Sequence, residues 1–405
     1  MRSAIYMGCR AIECNRIRSN EARTNGAFPL MKADTPRRPD HRGSSLSGWP
    51  VWRQIRATHL ILACVVLCCL LSRATRAAES YGVWFAPDGA SPDLLELFRR
   101  PELWSQARSQ IDVFKFGPLR LTRQANVRRN SFEDLIEVDA FRKIRSWGLK
   151  TASEEGAIKP WDCTGAQAAK VANTHIRNVH AAGGAIDVLA MDEPLSSGRQ
   201  PCGLSILEAA KRTAAFARDV DSSEETKSAG VVPAIGDIEP YPSSSVSDLK
   251  EWADDLLDNG FRPAFIHIDI NMHFVDVHPA INLKSDLLSL QSFYRQKGIP
   301  FGVIIWSGYD PLNSDKTYYE HAMRVVKQVK DAVGRPNQVI FQSWVTRSPQ
   351  SCQQSDNSCN AKMCTAEDAP YCGENSIPLN LPESGPASFS HTRLIIDGLA
   401  AFGAK

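Results

Sequence analysis

The feature that most constrains this chain is a repeat. From Tyr81 onward, short β-type runs alternate with amphipathic helical stretches, eight times over. The runs are YGVWFAP (81–87), IDVFKFG (111–117), GLKTASE (148–154), IDVLAMDE (186–193), GVVPAIGD (230–237), PAFIHIDIN (263–271), PFGVIIWSG (300–308) and QVIFQSWV (338–345). Their spacing of about thirty to forty-five residues suits one βα unit each. Stretches such as DLKEWADDLLDNG and YYEHAMRVVKQVKDAVG fill the gaps with helical periodicity, and several stop at Gly. A last helix is expected at about 390–402. Eight units predict an α/β fold of the (β/α)8 TIM-barrel type. The competing open, doubly wound sheet would carry a Gly-rich turn after its first strand, and FAPDGAS is not G-x-G-x-x-G.

Residues 1–78 read as an extension and the barrel as 79–405. The run LILACVVLCCLL (60–71) is short for a membrane span and suits the apolar core of a secretory signal. Arg53 and Arg56 precede it, and Thr75 and Ala77 supply small residues for cleavage. Met31 is an alternative start. Export to the periplasm or beyond is expected, with no stable span after cleavage; the alternative is an uncleaved N-terminal anchor.

Cysteine usage agrees with export. Five of eleven cysteines fall in the extension, leaving Cys163, Cys202, Cys352, Cys359, Cys364 and Cys372. An even set in an exported chain suggests disulfides. Cys163 follows the third run and Cys202 the fourth, so these two are expected to pair. The other four sit in CQQSDNSCNAKMCTAEDAPYC (352–372), which has no CxxC and no His, so bridges are favoured over a zinc site. The segment 346–389 is thus expected to be a long, disulfide-bearing loop between strand eight and the last helix, on the active face. The formal net charge of +2 and the lack of a Lys/Arg block interleaved with aromatics give no reason to expect nucleic acid.

The active face of such a barrel lies at the strand ends. In FIHIDIN, Ile266, Ile268 and Ile270 share one parity and should face the helices. His267, Asp269 and Asn271 should face the barrel axis or its mouth. Lys115 lies opposite Phe114 and Phe116 in the second run, and a buried charge there needs a partner. Run four ends on Asp192-Glu193, run three on Glu154-Glu155, and run five on Asp237 and Glu239. Trp306, Tyr309 and Trp344 follow runs seven and eight. The expected mouth is acidic with an aromatic rim. Carboxylates supply acid and base, and aromatic faces stack on sugar rings.

The stretch DVLAMDEP resembles the fourth-strand motif of (β/α)8 glycoside hydrolases. There a Glu at the end of strand four, often followed by Pro, is the general acid/base. The resemblance implies that role for Glu193, a carbohydrate substrate, and neither cofactor nor metal. The usual Asn before the acid is replaced by Asp192, and no Glu ends strand seven, which runs Trp306-Ser307-Gly308. Two substitutes follow. Glu239, then Asp269, can supply the second carboxylate. Alternatively, Asp192-Glu193 resembles the adjacent acids of hexosaminidase-like families, where the substrate's own 2-acetamido group attacks; Trp344 and Tyr241 would then wall the pocket.

Plainer roles compete. Asp192 can be a helix cap, Glu193 a partner of Lys115 or Arg199, His267 a core histidine, and Trp306 and Trp344 barrel packing. Lys115 lacks the adjacent cation that would mark a Schiff-base lysine. The leading expectation is an exported glycoside hydrolase, with Lys115, His267, Asn271, Tyr309 and the aromatics as substrate contacts. The alternative is a catalytically silent barrel that binds glycans. A metal-dependent hydrolase is disfavoured, because strand one lacks an HxH pair and His267 with Asp269 is a thin ligand set.

Overall fold

The computed structural model describes residues 82–123, 129–308, 314–346, 376–385 and 388–403. The expected signal segment, Tyr309 and the cysteines at 352, 359, 364 and 372 lie outside the described residues. Eight parallel strands close into a barrel: β1 (Val83–Ala86), β2 (Val113–Phe116), β3 (Lys150–Glu155), β4 (Val188–Asp192), β5 (Ala234–Tyr241), β6 (Ile266–Ile270), β7 (Phe301–Ile305) and β8 (Gln338–Gln342). Pairing follows sequence order, and β1 closes the ring against β8. The eightfold repeat is therefore a (β/α)8 barrel, as its count implied. Among the described residues, no helix is long and apolar enough to cross a membrane.

The helices form for local reasons the sequence displays. Ser205, Ser245, Ser314 and Ser390 each cap a helix by accepting from the amide three residues on. Gly298, at φ +66°, closes the helix Leu283–Lys297 in the left-handed region that glycine adopts without steric cost. The last helix spans His391–Phe402.

Strand alternation then sorts side chains into two cores. Val83, Phe85, Phe114, Leu189, Met191 and Ile266 belong to the large outer core between sheet and helices. Trp84, Val113, Ala152, Val188, Ile238, Phe265, Ile304 and Ile340 fill the barrel itself. Large rings there face missing side chains. A Cβ on Gly236 would lie 2.4 Å from the Phe265 ring, and one on Gly302 would lie 2.6 Å from His267 Cδ2.

Two boundaries differ from the sequence reading. The fifth strand starts at Ala234, four residues later than the run 230–237, and continues through Pro240 to Tyr241. The segment after strand eight is also more than an active-face loop. Ser376–Ile377 pairs antiparallel with Val345–Thr346. Asn380 is held by Asp93, and Glu383 accepts from the amides of Gln106 and Ala107 at 3.0 and 2.8 Å. Its described end is part of the packed fold.

Gly236→Ala should overpack the barrel against Phe265 and cost about 1–3 kcal/mol. Urea unfolding measures this; an unchanged midpoint would mean the ring has room to shift.

Candidate active site

The inward positions at the strand ends converge at the barrel mouth. Lys115 on β2, Glu154 on β3, Asp192 on β4, Asp269 on β6 and Gln342 on β8 share the inner parity set by the barrel-filling residues. Lys115 is buried and pairs with Glu154. Its Nζ also donates to Gln342 Oε1 at 2.5 Å, and Gln342 Nε2 donates to Glu154 Oε2 at 3.1 Å. Burial alone would raise the Glu154 carboxyl, but the Lys115 ammonium, with Gln342 and Lys159, outweighs it and holds the group below the usual range.

Across the mouth the carboxylates are less well matched. Asp192 pairs with Lys159 at 2.6 Å. Lys159 rides on the loop after β3, and the disulfide Cys163–Cys202 ties that loop to the one after β4. The pairing expected of these two cysteines is thus present. Glu193 would point outward if β4 continued. Instead its backbone turns into the left-handed region at φ +53°, one of three described non-glycine residues with positive φ. Such a backbone costs about 1–2 kcal/mol and needs support from its surroundings. Glu193 N donates to Ile238 O at 2.9 Å, and Glu193 O accepts from Ser197 N at 2.9 Å.

The Glu193 carboxyl has no ion pair or side-chain hydrogen bond among the described residues. Arg199 is spent on Asp248 at 2.5 Å. Burial, then the charge of Asp192, push Glu193 up to about 7. Burial, then the charge of Glu193, push Asp269 up to about 8. The Trp306 indole is near enough to draw Asp269 back in part. It makes no hydrogen bond of normal geometry, so Asp269 Oδ1 and Trp306 Nε1 are both left unpartnered. Trp306 and Trp344 stand with ring centroids 4.6 Å apart, and Trp344 is 42% exposed. Among the described residues no cluster of His, Cys, Asp and Glu is arranged to hold a metal ion.

Four expected site residues sit elsewhere. Glu239 lies on the outer face of β5 and is fully buried. Its oxygens accept from the amides of Leu195 (2.6 Å) and Ser196 (3.2 Å), just after Glu193. Burial and the neighbouring Asp237 raise its pKa well above the usual value. Tyr241 is also outward, in the outer core, with its hydroxyl donating to Asp286 at 2.5 Å. Asn271 caps the helix Met272–Val277 by accepting from Phe274 N at 2.9 Å. His267 faces inward as expected but below the mouth. It stacks on Phe265, meets Trp84 edge-on and lies 2.6 Å from Gln338 Oε1. Burial pushes it down to about 3, so it is a neutral core histidine.

Lys159 was missed as a site residue. Its sequence signal is a lysine four positions before Cys163, in a loop that follows a strand ending on acids.

No family model matches the chain, and no curated protein does. Solved structures similar to it include a phospho-2-dehydro-3-deoxyheptonate aldolase from Thermotoga maritima, at 11% identity and TM-score 0.37 over 65% of this chain and 60% of that one. A fungal β-1,4-galactanase matches at 10% identity and TM-score 0.44, over 77% and 98% of the two chains. The catalytic domain of the Paenibacillus polymyxa β-amylase matches at 7% identity and TM-score 0.41, over 66% and 93%. The chain spans less than two thirds of the aldolase's length. These neighbours catalyse different reactions and carry no argument about the chemistry of this one.

The folded protein keeps protons on Glu193 and Asp269 at pH values where an unfolded chain has lost them. Stability should therefore fall as pH rises from about 4 to about 8. Asp269→Asn removes one such group, so its melting temperature should fall less than the wild type's across that window. Equal slopes would mean that Asp269 titrates normally. Replacing Cys163 and Cys202 together with Ser should cost about 2–4 kcal/mol in denaturant unfolding; a loss near zero would mean the loops are held without the bridge.

Proposed function

We propose that this chain is an exported glycoside hydrolase in which Glu193 is the general acid. The observation that carries the reading is the pair Glu193 and Asp269. They are two partly sunken carboxyls at the barrel mouth beside a tryptophan pair; burial and Asp192 raise Glu193, and burial and Glu193 raise Asp269. Burial and like charge raise both carboxyls toward neutrality, so Glu193 can hold a proton there. That is the state an acid/base mechanism needs. Glu193 gives its proton to the glycosidic oxygen as the bond to the anomeric carbon breaks. Asp269 replaces Glu239 as the second carboxylate, because both Glu239 oxygens are engaged by backbone amides on the outer face. In its ionised form it takes the proton of the attacking water or bonds to the anomeric carbon itself. Asp192, held by Lys159, orients the substrate or its acetamido group. Trp344 and Trp306 stack on the sugar.

The pH dependence follows: turnover should decline as pH rises through about 7, where Glu193 loses its proton. Glu193→Gln should cost about 10²–10⁴-fold on unactivated oligosaccharides, and less on aryl glycosides whose leaving group needs no protonation. A folded Gln variant that cleaves oligosaccharides as fast as the wild type would sink the assignment. The tryptophan pair would serve a silent glycan-binding barrel equally well. A wild type that binds glycans but cleaves none of a broad panel would make that the better reading.

A further inference from the structure

A second space adjoins the mouth on the β1, β2 and β8 side. It is a cavity of about 300 Å³, at the small end for a ligand pocket and suited to one sugar ring. The loop after β1 (Pro87, Asp88, Gly89) and the loop after β2 (Leu119, Arg120) form its walls. Lys115 and Glu154 lie at its base and Trp344 at its lip. A ring seated there touches Trp344, which packs on Trp306.

The charged groups lining this cavity are engaged to different degrees. Lys115 and Glu154 are paired with each other. Asp88 is tied to its own turn, with Oδ1 accepting from Ala90 N at 2.8 Å, and burial pushes its carboxyl toward the neutral form. Arg120 feels the charges of Asp88 and Asp134 but forms no ion pair with either, among the described residues. Nη1 donates to the carbonyls of Arg129 (2.5 Å) and Asn130 (3.0 Å), which pins the side chain in place. Nε and Nη2 make no hydrogen bond, and no carboxylate forms an ion pair with Arg120, among the described residues. Gly89 gives the side chain its room, since a Cβ there would lie 2.6 Å from Arg120 Nε. A guanidinium always carries its charge, and its free fork of donors matches a planar carboxylate.

We infer that this cavity receives a sugar bearing a carboxylate, a uronic acid residue, held through Arg120 beside the scissile bond. The inference rests on the glycosidase reading and names its substrate class. The mouth's own charges set the orientation. The Glu193 and Asp269 side repels an anion, whereas the β1, β2 and β8 side offers a guanidinium already positioned. A uronate-containing oligosaccharide can therefore lie across the mouth in one direction only.

The test separates binding from turnover. Full-length Glu193→Gln protein is titrated calorimetrically with three probes: trigalacturonate, its methyl ester and a sulfated neutral trisaccharide. Trigalacturonate should bind about tenfold or more tighter than the uncharged ester, as a charge-assisted hydrogen bond provides. Added salt should shrink that ratio. Adding Arg120→Gln should abolish the preference, and Arg120→Lys, which keeps the charge and loses the fork, should restore only part of it. Thermal melts identify any variant that fails to fold. For such a variant Gly89→Ala, which displaces the guanidinium without removing it, gives the same readout. Equal binding of acid and ester, or a preference that survives Arg120→Gln in a folded protein, overturns the inference. So does tighter, Arg120-dependent binding of the sulfated sugar. Wild-type turnover is scored apart. An Arg120-dependent acid preference without any cleavage leaves the cavity assignment standing and removes the glycosidase reading. Glu193-dependent cleavage of neutral glycans without the preference does the reverse.

Discussion

A cation inside a closed barrel has to be matched, and Lys115 is the one this mouth is arranged around. Its ammonium is buried, and the groups that compensate it come from two other strands: Glu154 of β3 and Gln342 of β8. Truncating one partner of such a pair leaves a buried, unmatched charge, which is strongly destabilising. The pair therefore joins three strands at their C-terminal ends and divides the mouth in two. On its own side Lys115 and Glu154 match each other. On the β4 and β6 side the nearest cation is Lys159, already paired with Asp192, and Glu193 and Asp269 face each other without an ion pair. The raised carboxyls arise from that asymmetry: a cation offsets burial in one half of the mouth, and Lys159 offsets it only in part in the other.

Much of this was legible in the chain because strand parity is a strict period. Ile266, Ile268 and Ile270 fall in the outer core, and His267 and Asp269 turn inward, as alternation requires. The cysteine positions sufficed to pair Cys163 with Cys202, because adjacent strands put adjacent loops on one face. Errors arose where a local signal competed with parity. The apolar residues of GVVPAIGD suggested a strand over 230–237, yet β5 runs from Ala234 through Pro240 to Tyr241. Misplacing that strand made Glu239 and Tyr241 look like mouth residues when both face the helices. Depth was a second blind spot. Alternation shows that His267 points inward but not that it lies a layer below the rim.

The left-handed turn at Glu193 was not legible at all. Side-chain patterns carry no sign of φ, and a non-glycine residue in that region is uncommon. Strict parity would have turned Glu193 toward the helices along with Met191. The reversal frees its carboxyl from the outer core and lets it share the mouth with Asp192 and Asp269. Arg120 escaped notice for a related reason. Its partners are backbone carbonyls at 129 and 130 and a glycine at 89, none of which marks a charged site in a sequence.

Glu239, expected as a partner in the chemistry, has a different use, and it bears on the opening of the loop after β4. The two amides it grips, Leu195 and Ser196, follow the residue whose backbone is strained. Ile238, its neighbour on β5, accepts from Glu193 N. One strand thus holds the turn from both ends, with a buried carboxylate below and a carbonyl beside it. The left-handed backbone costs about 1–2 kcal/mol, and a hydrogen bond contributes about 0.5–1.5 kcal/mol net. Two such bonds are enough to keep the strained turn as the stable one. The charge needed for that grip is raised toward neutrality by its own burial and by Asp237, so the grip weakens if Glu239 takes up a proton. Glu193 on the inner face and Glu239 on the outer face are thus linked through the backbone of residues 193–196.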